Sequence, residues 1–135
     1  MTLETRSRWT GAIATAVLLC ASGPLGILAM GHLQDAADGK TRAACETAPS
    51  TAQWTKGYDF TMPLAILIAV LLGMTLAIAV LAKGKTAAPW TKPLAACLIL
   101  AALLALIPLS VTVMDYHAYP GADISTNNGP PCGVR

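Results

Sequence analysis

Three uncharged runs dominate this sequence: Gly11–Gly31, Thr61–Ala82 and Pro93–Met114, of 21, 22 and 22 residues. A helix rises about 1.5 Å per residue, so each run as a helix spans roughly 30 Å, the thickness of a bilayer's hydrocarbon core. Lipid offers the backbone no hydrogen-bond partner, so a segment that enters it satisfies its own amides and carbonyls by coiling. The chain therefore reads as an all-α integral membrane protein with three transmembrane helices. Only 12% of its residues are charged, against about a quarter in an ordinary soluble domain.

The charges that remain are sorted by segment. Residues 1–10 and the connection 83–92 hold Arg6, Arg8, Lys83, Lys85 and Lys92 against Glu4, a net of +4. The 32–60 segment and the tail 115–135 hold four basic and six acidic residues, a net of −2. Basic residues flanking a span stay in the cytoplasm. The expected order is thus a cytoplasmic N-terminus (1–10), helix 11–31, an extracytoplasmic loop 32–60, helix 61–82, a cytoplasmic connection 83–92, helix 93–114 and an extracytoplasmic tail 115–135. Trp9 and Trp90 fall at the inner boundary on this reading. Tyr58, Phe60 and Tyr116 fall at the outer one, the depth amphipathic rings favour. The first run is longer than a signal peptide's apolar core, so it is read as an uncleaved, signal-anchor-like span. An alanine-rich, lysine-poor chain suggests a bacterial plasma membrane. A net charge of +2 gives no reason to expect nucleic acid as a partner.

The four cysteines divide by environment. Cys20 and Cys97 lie within spans at depths differing by about 7 Å, which sets them apart as unpaired small hydrophobes. Cys45 and Cys132 lie in the two polar segments assigned to the oxidising side, and they are the only cysteines there. A Cys45–Cys132 disulfide is expected, pinning the tail to the long loop as a small extracytoplasmic cap. Gly129-Pro130-Pro131 stiffens the approach to it. The chain has no C-x-x-C pair, so the bridge reads as structural and not as a redox centre.

Span two carries Ala65, Ala69, Gly73 and Ala77 at four-residue spacing, a small-residue stripe that lets helix backbones approach closely in lipid. Spans one and three carry Pro24 and Pro108. Each deprives a carbonyl, Cys20 or Leu104, of its helical partner. Both prolines fall at a similar depth in the outer half. Two readings follow: kinks that splay the helices around a cleft, or prolines simply tolerated in membrane helices.

Chemistry is sparse. No Asp, Glu, Lys, Arg or His lies inside a run, which speaks against proton-coupled transport by this chain alone. His32 and His117 sit just beyond spans one and three. With Asp35, Asp59 or Asp115 they are weak candidates for a metal or haem site, though neither has ligand spacing within its own segment. No haem-attachment, phosphate-loop or nucleophile-elbow motif occurs, and no cofactor or catalytic residue is expected. The 32–60 loop is long for a connection. Leu33 to Ala48 is helix-compatible apart from Gly39, and Pro49-Ser50 breaks it. The reading that follows is a non-catalytic accessory or assembly subunit. It would bind partner membrane subunits through its small-residue face and its cap. A self-associating (homo-oligomeric) pore or carrier, and a small redox or metal protein using His32 and His117, are the competing readings.

Overall fold

A computed structural model describes residues 3–50, 52, 56–85, 88–118 and 132. It is all-helical: α1 spans Leu3–Thr47, α2 Thr61–Lys83 and α3 Thr91–Ala118. All three are long and apolar enough to cross a membrane. Pro63 and Pro93 stand in the first turns of α2 and α3, where a missing N–H breaks no helical bond. At the start of α3 the Thr91 hydroxyl and N–H both donate to the Ala88 carbonyl, at 2.6 and 3.0 Å. Thr91 is fully buried, and this double bond satisfies its polar atoms at the α2–α3 corner.

α1 does not end where its apolar run ends. Residues 32–47, at the start of the segment read as a loop, continue the same helix to a length of 45 residues, about 68 Å. Nothing between Gly31 and Thr47 forbids this. Gly39 is the one weak helix former, and the first true breaker is Pro49, whose neighbourhood forms the turn. Roughly 24 Å of α1 thus projects past its apolar run.

One spacing organises the interior. Along α1 the residues turned inward are Ile13, Ala16, Cys20, Gly23, Ile27, Met30, Gln34, Ala37, Thr41 and Ala44, alternately three and four apart. α2 repeats it with Pro63, Ile66, Val70, Gly73, Ala77 and Val80, and α3 with Thr91, Ala95, Leu98, Ala102, Ala105, Leu109 and Thr112. This 3.5-residue period is that of knobs-into-holes helices wound in a left-handed supercoil. The buried positions are filled largely by small side chains. Large aliphatics such as Leu18, Leu28, Leu72, Leu104 and Ile107 point outward. That distribution inverts a soluble bundle and suits a solvent as apolar as leucine itself.

The spacing also explains how the span-two stripe is used. Four residues advance a helix by about 400°, so a strict four-residue stripe drifts about 40° per step. Gly73 and Ala77 lie on the buried seam, Ala69 is half-buried, and Ala65 has rotated out to the exposed side. At Gly73 the two backbones meet. An added Cβ would sit 2.9 Å from the Cys20 sulfur and 2.9 Å from the Leu19 Cβ.

Pro24 and Pro108 both lie on exposed faces of their helices. The residue beside Pro24 marks the point where all three helices converge. A Cβ on Gly23 would lie 3.0 Å from Val70 Cγ2 and 3.1 Å from Ala105 Cβ. Beyond that level Ile27, Met30, Ile66, Met62, Leu109 and Tyr58 pack as one apolar cluster. Among the described residues the prolines accordingly flank a packed junction.

Candidate functional site

The part of the molecule with the most chemical variety is the projecting end of α1 and what is fastened to it. The α1 seam turns polar there. After Met30 the inward positions are Gln34, Ala37, Thr41 and Ala44. Thr41 is buried and donates its hydroxyl to the Ala37 carbonyl at 3.1 Å, so the polar atom is satisfied within its own helix. The opposite face of the same helix presents His32, Asp35, Arg42 and Glu46, with Lys40 on its flank, all exposed.

Among the described residues, a disulfide and a side-chain amide hold other segments to this rod. The first is the Cys45–Cys132 disulfide, with S–S 2.01 Å and Cα–Cα 5.4 Å. Cys45 is in the last turn of α1, so the bridge ties the chain's far end to the tip of the rod. Cys20 and Cys97 are free, the first buried and the second exposed. The second fastening is Gln34. Its side-chain oxygen accepts a hydrogen bond from the Gly57 N–H at 3.1 Å, and its amide nitrogen donates to Asp38 Oδ1 at 3.0 Å. An i,i+4 partner thus orients the amide, which in turn catches the loop returning toward α2. Gly57 is required by contact: a Cβ there would collide with the α1 backbone at the Leu33 carbonyl and Gln34 nitrogen. Tyr58 follows directly and packs into the cluster around Met30 and Leu109.

Of the residues singled out in the sequence, the structure brings Cys45 and Cys132 together and places Gly73 and Ala77 in the helix seam. His32 is exposed on α1. His117 lies in the last turn of α3, and the placement of its side chain is outside the described residues. Among the described residues no three His, Cys, Asp or Glu side chains gather into a ligand set. Thr75, Ser110 and Thr112 are the hydroxyls that would line a homo-oligomeric pore; of these Thr75 and Thr112 donate to their own helices at the Leu71 and Pro108 carbonyls, both at 2.8 Å. Sequence reasoning missed Gln34 and Gly57. Their one visible signal is that Gln34 falls on the 3–4 repeat, as an amide among apolar and small residues.

These features define a class: a three-helix apolar bundle with an elongated, disulfide-fastened cap. Set against known protein families, curated proteins and solved structures, the chain matches none of them.

Proposed function

We propose that this chain is a non-catalytic accessory or assembly subunit of a larger complex in a bacterial plasma membrane. In this reading the N-terminus is cytoplasmic and the cap extracytoplasmic, as the distribution of Lys and Arg suggests. The observation that carries it is the rod. α1 continues for about 24 Å beyond its apolar run, with charged and polar groups on its exposed face, and a disulfide fixes its tip. A preorganised polar helix face held at a set height suits docking to a partner's outer domain, because little order is lost on binding. In the bundle, Gly73 and Ala77 are occupied by α1. The helix surface left for a partner is therefore the outward side of α2, with Ala65, Ile68, Leu72 and Thr75.

The test is a purification from native membranes in a mild detergent, with an affinity tag at the N-terminus. Mass spectrometry then identifies what accompanies the chain in fixed proportion. Stoichiometric recovery of other membrane subunits is the expected result. Recovery of this chain by itself, as a monomer or a homo-oligomer, overturns the accessory reading. A conducting homo-oligomer would then favour the pore, and bound metal or an absorption band the redox protein.

A further inference from the structure

The end of the bundle opposite the cap holds a second feature that the accessory role does not use. Along α1 runs an open groove of about 290 Å³, lined by Thr5, Arg8, Trp9 and Ala12. These residues are three or four apart, so they form one stripe on the helix. The stripe grades from polar to apolar toward the span. Arg8 is exposed, Trp9 is half-buried against the cluster of Ile13, Ala77, Val80 and Ala95, and Ala12 enters the uncharged run. Arg8 sits about 6 Å along the axis from Ala12. The groove wall is almost wholly apolar, and the exposed Arg8 borders it.

The charge around it is of one sign. Lys83 ends α2, Lys92 opens α3, and Lys85 lies in the turn between them. With Arg6 and Arg8 they give this end five basic residues against Glu4. All five are exposed. We propose that the groove is a binding site for an anionic phospholipid of the surrounding bilayer, its phosphate on Arg8 and part of one acyl chain along Trp9 and Ala12. A guanidinium matches phosphate oxygens in a two-pronged geometry, and an indole sits well at the level of ester and headgroup. A volume of about 290 Å³ is at the low end for a small-molecule site, and so accommodates a portion of one chain and not a whole lipid. The neighbouring lysines add field without geometry: they favour any anionic headgroup, and Arg8 selects the position. The site requires that the helices lie in a bilayer but is independent of any partner subunit.

Native mass spectrometry of the full chain, supplied with phosphatidylglycerol and phosphatidylcholine of identical acyl chains, tests this. Wild type retains phosphatidylglycerol in preference. Arg8→Gln lowers that preference about fivefold, since one basic side chain at an anionic surface is worth about 1 kcal/mol. Arg42→Gln, at the cap end, leaves it unchanged. Equal retention of the two lipids by wild type overturns the proposal. So does a preference that Arg8→Gln leaves undiminished, or one that Arg42→Gln lowers as much as Arg8→Gln. Recovery of other subunits in the purification above bears on the accessory role alone, so the two ideas fail separately.

Discussion

The spans and the cap of this protein are built on opposite plans. In the spans, order comes from many small contacts repeated along three helices: Gly23 against Val70 and Ala105, Gly73 against Cys20, Ala16 and Ala102 at full burial. In the cap, the described residues show specific links, among them the Cys45–Cys132 disulfide, the Gln34 amide and a glycine that lets a loop lie on a helix. Distributed packing degrades gradually when a side chain is altered at its rim and sharply when backbones are forced apart. Point fastenings fail one at a time, each releasing its own segment. The same chain therefore has two kinds of vulnerability, set at successive levels along α1.

Forcing the backbones apart is the harshest test of that contrast. Gly73→Leu places a branched side chain where even a Cβ would be 2.9 Å from Cys20 and Leu19. We expect a loss of about 3 kcal/mol or more, seen as failure to accumulate in membranes or a lower melting temperature in detergent. Unchanged melting of this variant would show that α1 and α2 do not cross there. Cys45→Ser comes next. Its effect is confined to the cap: limited proteolysis beyond Thr47 becomes about 30-fold faster, the equivalent of about 2 kcal/mol of local ordering, while the helices keep their melting behaviour. If the bundle melts earlier as well, cap and spans are not separable units. Gln34→Ala is milder, costing about 1 kcal/mol by leaving the Gly57 amide without its acceptor. Faster hydrogen exchange at residues 56–58 reports it. Smallest of all is Ile68→Ala on the exposed side of α2, expected to stay within about 0.5 kcal/mol of wild type. A larger loss there would mark that face as occupied, and so would sharpen the case for a partner.

What the sequence made legible follows from which physics is local. An uncharged run of bilayer length is a property of composition alone, and all three runs became helices long enough to cross. The Cys45–Cys132 bridge was legible because only two cysteines shared the polar segments. The seam was not. On a helix that is apolar on all sides, hydrophobicity carries no phase. The signal lies instead in side-chain size, alternating three and four apart, and on span two only Gly73 and Ala77 of the four-residue stripe lie on the seam. The reach of α1 past Gly31 was hidden because the sequence changes there from uncharged to charged without changing backbone preference. The Gln34–Gly57 contact joins residues 23 apart across a turn. No spacing rule anticipates it, because it depends on where the chain comes back to the helix.

The bridge also changes how the chain is connected. Cys45 and Cys132 are separated by 87 positions, and all of α2 and α3 lies between them. The backbone from one to the other, closed through sulfur, is a covalent ring that passes down one helix and up the next. α1 is the stem attached to that ring. A single cut in the 84–90 connection opens the ring and releases nothing. Both halves stay on one molecule until the sulfurs are reduced, so a nicked chain runs as one piece without reductant and as two with it.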